Sequence, residues 1–203
     1  MTGNKKNYLE IHVGISTRAK WYLELKKGMK RLNVKCKEKR FHITALFMND
    51  DALKDELIEA FDRTLNHRYD PHLTFNKLEA FTSKSGKEHI VNLTSTQPEV
   101  EFRQLVENLR DSAIKLGAHI EDYRLHVTIA KVPVNIITLE DLQKLMAGIN
   151  LPVFTLALKT IEYRYRTPQL EEGYIQGWKY DETNKRFNKV TELSQVNIHS
   201  SSD

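Results

Sequence analysis

The sequence predicts an α+β fold in which two similar lobes, each made of sheet and helices, enclose a groove. The chain has 203 residues, of which 40% are hydrophobic, and this is enough to bury a sizeable core. The order strand, helix, strand, helix, strand occurs twice, with an offset of 84 residues from His42 to His126 and 81 from Pro71 to Pro152. Two copies at so long a period indicate a duplicated unit, not a solenoid.

The first copy spans about 8–81, and hydrophobic periodicity defines its elements. Apolar residues alternate in its strands, and they recur along one stripe in its helices. In order, we predict a strand over 8–15, a helix from a cap at Ser16 or Thr17 to about Leu32, a strand over 41–47, a helix capped by Asp50 or Asp51, and a strand from Pro71 through Phe81.

The second copy spans about 89–165 and repeats this order. Gly117 is expected to end its first helix, and Thr138 with Asp141 has the pattern of a helix cap. The elements are a strand over 89–94, a helix from Pro98 to Gly117, a strand over 125–130, a helix after Thr138, and a strand from Pro152 through Ile161. We expect 1–190 to be a single two-lobed domain that includes added strands over about 173–190, followed by a frayed polar tail over 191–203.

Positive charge is concentrated in one segment. The net charge of the chain is +4, whereas 17–40 contains ten Lys/Arg and two Glu and so carries +8. Such a concentration favours an anionic partner, although a solvated helix face has the same pattern. With Cys36 as its one cysteine, the chain can form no internal disulfide. It also has neither an apolar run that would span a membrane nor an apolar leader, so we expect a cytoplasmic protein that does not contact membranes.

Three His-x-Thr tripeptides are present: His42-Ile43-Thr44, His72-Leu73-Thr74 and His126-Val127-Thr128. In a strand, residues two apart lie on one face, so each His points the same way as its Thr, while Phe41, Ile43, Ala45 and Phe47 are expected to face the core. The first and third motifs occupy equivalent places in the repeat, and a pseudo-twofold axis would bring them together across the groove. In the alignment His72 falls on Val153, so we interpret it as a structural or surface histidine.

Two imidazoles and two hydroxyls facing one groove suit displacement at phosphorus. An imidazole with a pKa near its model value of about 6.5 can take or give a proton at neutral pH. One ring would deprotonate the attacking group and the other would protonate the leaving oxygen, while Thr44 and Thr128 donate to the phosphate oxygens. This chemistry requires no metal or cofactor. The alternative is a pair of unrelated strand histidines that are bonded to their neighbours.

On the His42-x-Thr44 and His126-x-Thr128 motifs, their separation and the order of elements, the chain resembles the two-histidine (2H) phosphoesterase superfamily over roughly 8–180. This superfamily includes the 2′-5′ RNA ligases of bacteria and archaea and the cyclic phosphodiesterases. The resemblance implies a bilobal α+β fold with two antiparallel sheets and an active-site groove between them. It also implies metal-independent hydrolysis of 2′,3′-cyclic phosphates or 2′,5′ bonds in RNA-like substrates. Many relatives have Arg shortly after the second motif, where this chain has Lys131.

Further contacts with a nucleotide or oligoribonucleotide are expected from three residues. Lys131 and Arg166 could hold phosphates, and Tyr163 could stack on a base. The basic segment 17–40 could contact RNA. One alternative function is degradation of 2′,5′-oligoadenylates or cyclic oligonucleotide signals, and another is a non-catalytic RNA-binding module. Because one chain carries both halves of the site, we expect a monomer.

Overall fold

The computed structural model describes residues 6–48, 54–65, 71–121, 124–158, 160–166, 175–181 and 183–190. These residues form ten strands and four helices. In chain order they are β1 (Lys6–His12), α1 (Lys20–Arg31), β2 (His42–Met48), α2 (Lys54–Leu65), β3 (His72–Phe75), β4 (Lys77–Thr82), β5 (Glu88–Thr94), α3 (Val100–Lys115), β6 (Val127–Pro133), α4 (Leu139–Ala147), β7 (Phe154–Ala157), β8 (Ile161–Arg166), β9 (Ile175–Asp181) and β10 (Arg186–Val190).

The first six elements and the next six follow the same order. The prediction has one strand at the end of each copy, whereas the structure has two, β3 and β4 in the first copy and β7 and β8 in the second, and the members of each pair belong to different sheets. Eight strands form one antiparallel sheet in the order β10-β9-β8-β1-β2-β6-β5-β4, and β3 pairs with β7 in a second sheet. Each copy contributes its last strand to the other half of the large sheet. Thus β8 lies beside β1, whereas β4 lies beside β5. The added C-terminal strands, β9 and β10, extend the edge next to β8. The predicted α+β fold with antiparallel sheets is therefore confirmed.

A local pseudo-twofold axis relates the two copies. The pairing of β2 with β6 consists of Ile43 opposite Val127, and Thr74 of β3 lies opposite Thr155 of β7. In both pairs the partners are equivalent positions of the repeat, so the axis passes between them. The resemblance implies two antiparallel sheets of similar kind. In the structure the two halves join at β2 and β6 and form one eight-stranded sheet, and the second sheet contains only the strands β3 and β7 among the described residues.

Each His-x-Thr motif is followed by a β-bulge. Leu9 pairs with Leu46 while Glu10 pairs with Thr44, so Ala45 is the extra residue in β2. The same shift makes Ile129 the extra residue in β6. Bulges re-aim the side chains that follow them, and they are frequent beside functional sites.

The bulge in β2 corrects one prediction. Simple alternation placed Phe47 with the core residues, but Phe47 is half-buried and lines a cavity on the motif face of the sheet. Lys131 takes the equivalent place in β6, three residues after Thr128. The extra residue in each strand shifts the alternation by one position, so the third residue after each Thr shares its face.

The helices bury the apolar stripes that the sequence predicts. Trp21 of α1 stacks on Phe154 of β7 with ring centroids 6.2 Å apart. Helix α3 ends at Lys115, two residues before Gly117, whose φ of +82° favours a residue without a side chain. The fully buried helix side chains that contribute to the core include Tyr22, Leu25, Met29, Leu57, Phe61, Phe102, Leu105, Leu109 and Leu142.

Two of the predicted helix starts differ from the structure, and one is confirmed. Helix α1 begins at Lys20, later than a cap at Ser16 or Thr17 would place it. The residue in the cap position is therefore Ala19, which has no polar side chain to cap the helix. Glu99, not Pro98, immediately precedes α3. The Thr138 cap of α4 is confirmed, since its hydroxyl accepts a hydrogen bond from the Asp141 amide.

Two predicted features, the Asp50 or Asp51 cap and the 191–203 tail, lie outside the described residues. Within the described ranges, none of the helices combines the length and the apolar character needed to cross a bilayer.

Candidate active site

A cavity of about 900 Å³ lies on the face of the large sheet where β2 and β6 meet. It brings together His42, His126 and Thr128, which are three of the four motif residues. Side chains from β2, β4, β5, β6 and the neighbouring loops line it: Lys35, Cys36, Lys37, His42, Phe47, Phe81, Ser83, Lys84, Ile90, Glu121, Arg124, His126, Thr128, Ile129, Ala130 and Lys131.

The strand register explains why the motif residues meet. Ile43 faces Val127 across an antiparallel pair, so one further step in each direction sets His42 opposite Thr128 and Thr44 opposite His126. Each imidazole therefore neighbours the hydroxyl of the other motif. Thr44 is only 7% exposed and lies at the buried edge of the site, because Glu10 of β1 faces it from the other side.

His126 is held by two neighbours. Its Nδ1 lies 2.6 Å from the Arg124 carbonyl oxygen, which can only accept, so Nδ1 carries the proton of the neutral ring. Phe81 of β4 meets the ring edge to face, with centroids 5.1 Å apart and an interplanar angle of 87°. Burial lowers the pKa of His126, and the Arg124 and His42 charges lower it further, although the bond to the Arg124 carbonyl opposes them.

His42 has hydrogen-bonding neighbours at both nitrogens. Its Nε2 lies 3.3 Å from the Glu10 carboxylate. Its Nδ1 lies 3.1 Å from the Arg40 carbonyl oxygen and 3.3 Å from Lys37 Nζ. Burial lowers the pKa of His42 and so does the Lys37 charge, while the charge of Glu10 and the Arg40 carbonyl raise it. The side chain is 27% exposed, which leaves the ring accessible from the cavity.

A charged network extends from Glu10 away from the cavity. Its carboxylate lies 3.5 Å from His12 Nε2 and 3.6 Å from Arg164 Nη1. Glu162 of β8 lies 3.1 Å from the same His12 nitrogen and 3.4 Å from Arg164 Nε. Hydrogen bonds to Glu10 and then Glu162 raise the pKa of His12 to about 9, so His12 is a cation at neutral pH. Burial alone would raise the pKa of Glu10, but its bond to His12 and the charges of His42 and Arg164 together lower it.

The same network contains a group with metal-ligating chemistry. The ligand atoms of Glu10, His12 and Glu162 all lie within 4.8 Å of one another. Arg164 contacts both carboxylates and, with protonated His12, already supplies two positive charges for their two negative charges. The arrangement is therefore neutralised by the protein's own cations.

Cations outnumber acids around the cavity, and apolar side chains form part of its wall. Among the described residues that line it, Glu121 is the one acid. The cations are Lys35, Lys37, Lys84, Arg124 and Lys131. Arg124 also lies over the Phe81 ring, with its guanidinium carbon 5.1 Å from the centroid. Positive charge beside an apolar wall suits a ligand that has both anionic and flat apolar parts.

The three residues predicted to bind substrate have different positions in the structure. Lys131 lines the cavity, with its side chain 61% exposed. Tyr163 is fully buried, with its ring 5.9 Å from that of Phe61, so the prediction that it stacks on a substrate base is wrong. The described side chains of β8 alternate between a buried and a more exposed face, and Tyr163 lies on the buried face. Arg166 ends β8, and its side chain lies outside the described part of the chain.

His72 is exposed on β3 and does not line the cavity, as the repeat alignment predicts. Its companion Thr74 bonds the Glu99 carboxylate and lies 2.8 Å from the Thr155 hydroxyl, so this third motif stabilises the small sheet.

Sequence reasoning missed Glu10, Phe81 and Arg124 at the site. A signal for Glu10 was present, since it alternates with Leu9 and Ile11 in β1 and is 82 residues before Asn92. Both polar residues are buried, and each faces the Thr of a motif: Glu10 pairs with Thr44 and Asn92 with Thr128. A polar residue at the same place in both copies is a signal that alignment of the repeats could have detected.

No family model and no curated protein matches the sequence. The structure, however, is similar to solved phosphoesterases. The crystal structure of E. coli LigT in its apo form matches with a TM-score of 0.52 and 13% identity, over 93% of this chain and 98% of that one. Usb1 of Kluyveromyces marxianus matches with a TM-score of 0.51 and 10% identity, over 80% of this chain and 95% of that one.

The PDE domain of MHV ns2 matches with a TM-score of 0.50 and 13% identity, over 76% of this chain and 89% of that one. These three structures are two-histidine phosphoesterases. The chain therefore shares the fold of these three proteins, which is the fold that the resemblance implies.

Proposed function

We propose that this protein is a metal-independent phosphodiesterase that cleaves a 2′,3′-cyclic phosphate or a 2′,5′-phosphodiester bond in an RNA-like substrate. The observation that carries the proposal is the presence of both motif imidazoles, His42 and His126, in one cavity with the Thr128 hydroxyl. The fold shared with three solved phosphoesterases supports the same class of reaction.

The arrangement of the residues supports displacement at phosphorus. One imidazole takes a proton from the attacking water, and the other gives a proton to the leaving oxygen. Thr128, on the strand opposite His42, donates to a non-bridging phosphate oxygen, where negative charge increases in the transition state. Thr44 has the equivalent place beside His126, at the buried edge of the site.

The lining of the cavity supports an anionic, nucleotide-like substrate. Lys35 and Lys37 are the part of the basic segment 17–40 that lines the cavity, and Lys131 lines it from β6. Their charges would attract phosphate groups on either side of the reacting bond. Phe81 and Ile90 give the cavity an apolar surface that could accommodate a base.

The first test is turnover of 2′,3′-cyclic AMP and of a 2′,5′-linked diadenylate, with EDTA present and products identified by chromatography. We expect turnover of at least one substrate that EDTA does not reduce. His42→Ala and His126→Ala should each lower it by at least about 10²-fold, the usual contribution of a general acid or base. His72→Ala is the matched control, because it removes an exposed histidine from the same tripeptide and should leave turnover unchanged.

Near-normal turnover in either folded cavity variant would contradict the proposal, as would loss of activity in EDTA. Preference for longer 2′,5′-oligoadenylates or cyclic oligonucleotides over 2′,3′-cyclic AMP would favour a signal-degrading enzyme. Salt-dependent RNA binding that persists in His42→Ala, without any product from the unchanged protein, would instead indicate an RNA-binding module.

A further inference from the structure

The two halves of the active site are alike in backbone and in their motifs, but they differ in the charge of a buried residue beside each motif. Glu10 of β1 pairs with Thr44 of the first motif, and Asn92 of β5 pairs with Thr128 of the second. Both residues are almost completely buried, with exposures of 2% and 0%. A carboxylate therefore lies beside one motif where a neutral amide lies beside the other.

The surroundings of His42 contain two acceptors and one cation. The Glu10 carboxylate at Nε2 and the Arg40 carbonyl at Nδ1 accept hydrogen bonds from a protonated ring, whereas the Lys37 ammonium, 3.3 Å from Nδ1, can donate only to that nitrogen in its unprotonated form. His126 has a carbonyl acceptor at Nδ1, and Asn92 uses its amide nitrogen on the Glu79 and Ile90 carbonyls. The neutral form of the His126 ring thus holds its proton on Nδ1 and its lone pair on Nε2.

We propose that Glu10 is the positioning residue that makes His42 the more readily protonated of the two rings, so that His42 is the general acid and His126 the general base. The inference rests on the proposed phosphodiesterase function. In the step, Nε2 of His126 takes a proton from water as the water oxygen bonds to phosphorus. The bond from phosphorus to the leaving oxygen breaks, its electron pair stays on that oxygen, and the oxygen takes a proton from His42.

The Glu10 contact leaves His42 able to release that proton. The distance of 3.3 Å between Nε2 and the carboxylate exceeds the roughly 2.7–2.9 Å of a strong charge-assisted bond. Glu10 is also shared, because it contacts His12 and Arg164 as well. It therefore stabilises the imidazolium without taking its proton.

Several other charges act on the two rings and must be included in any test. Lys37 lies 3.3 Å from His42 Nδ1 and opposes its protonation. The groups that face the rings are Glu10 and His12 from β1, Lys37 and the Arg40 carbonyl from the loop before β2, Arg164 of β8 through Glu10, and Arg124 and Glu79 beside His126.

Histidine titration followed by NMR in the unchanged protein tests the assignment without any substrate. We expect His42 to titrate at higher pH than His126, with a proton on its Nε2, and the neutral His126 to carry its proton on Nδ1. A midpoint for His42 below that of His126 would overturn the proposal. This measurement needs no variant, so it stands even if a substitution of buried Glu10 fails to fold.

Three variants then identify the cause. Glu10→Gln should lower the midpoint of His42 by about one pH unit or more, the usual effect of losing a close opposite charge. Lys37→Met should raise it. Glu162→Gln is the matched control, because it removes a carboxylate that contacts His12 and Arg164, and it should move His42 far less. Equal shifts in Glu10→Gln and Glu162→Gln would contradict a specific role for Glu10.

The pH profile of kcat/KM links the titration to catalysis. Glu10→Gln should move the alkaline limb, which reports the general acid, to lower pH and leave the acidic limb in place. A shift confined to the acidic limb would reverse the two roles and overturn the proposal. If no phosphodiester is turned over while the His42 midpoint still responds to Glu10, the proposed function fails but the role of Glu10 in protonating His42 stands.

Discussion

Ile43 and Val127 lie opposite each other where the two halves of the large sheet meet. They are equivalent residues of the two copies, and each is the central residue of a His-x-Thr motif. Their pairing sets the neighbouring positions: His42 opposite Thr128, and Thr44 opposite His126. The pairs are alike in register, but their surroundings differ, since Thr128 lines the cavity and Thr44 is 7% exposed.

This difference predicts unequal effects for the two hydroxyls. Thr128→Val keeps the shape of the side chain and removes a donor that faces the cavity, so kcat/KM should fall by about 10²-fold. Thr44→Val should cost less, because its hydroxyl lies at the buried edge of the site. Turnover of 2′,3′-cyclic AMP by both variants, with circular dichroism to verify folding, provides the measurement. Equal losses, or none for Thr128→Val, would contradict the assignment.

The repeat and its motifs were predictable because they depend on local pattern and on similarity between two parts of one chain. Hydrophobic periodicity located the helices and strands, and the equivalence of His42 with His126 indicated that their motifs meet. The chemistry of the cavity followed from residue types alone, since two imidazoles beside two hydroxyls suit proton transfer around phosphate.

What the sequence did not predict depends on register and on contacts between distant strands. Phe47 changes face because of the bulge at Ala45, and no Gly or Pro marks that bulge. Glu10 alternates with Leu9 and Ile11 in β1, and this local pattern does not reveal its burial. It is buried because β8, about 150 residues later in the chain, brings Arg164 against it.

Lys131 is one of the cations that line the cavity, and it follows the second motif by three residues. Its side chain is 61% exposed, and its ion pair with Glu88 is long, at 3.9 Å. We expect Lys131→Ala to raise KM by about fivefold, roughly 1 kcal/mol, with little change in kcat, because the charge binds substrate and transition state alike. The slope of log KM against the logarithm of the salt concentration should decrease by about one, because one contact with a substrate phosphate is lost.

Lys144→Ala is the control for Lys131→Ala. Lys144 is similarly exposed on α4 and pairs with Glu140, but it does not line the cavity. Its loss should change neither KM nor the salt dependence. If both variants behave alike, the effect is one of net charge, and Lys131 is not a substrate contact.

Phe81 of β4 supports the His126 ring from within the same half of the large sheet. The two rings meet edge to face at 5.1 Å, and such a contact contributes about 0.5–1.5 kcal/mol. Phe81→Ala should lower kcat by up to about tenfold, because the ring of His126 loses a fixed orientation. Phe81→Tyr keeps the aromatic face and should restore kcat. If Phe81→Ala turns over substrate as fast as Phe81→Tyr and the unchanged protein, Phe81 has no positioning role.

His12 predicts how stability depends on pH. Its pKa is raised from 6.5 to about 9, chiefly by hydrogen bonds to Glu10 and Glu162. A raised pKa in the folded state stabilises the protein fully below about pH 6.5, and that stabilisation is lost as the pH rises through about 9. The shift corresponds to about 3 kcal/mol, which we reduce to about 2 kcal/mol because the side chain is 29% exposed.

Few other groups among the described residues interfere in this pH range. The lowered pKa values of His42 and His126 change stability below about pH 6.5 and with the opposite sign. The Cys36 thiol, whose pKa burial raises to about 11, acts above pH 9. Urea unfolding between pH 6.5 and 9.5 should therefore show the free energy of unfolding falling in the unchanged protein and staying nearly level in His12→Gln. Parallel curves for the two proteins would show that the Glu10–His12–Glu162 network does not hold the extra proton.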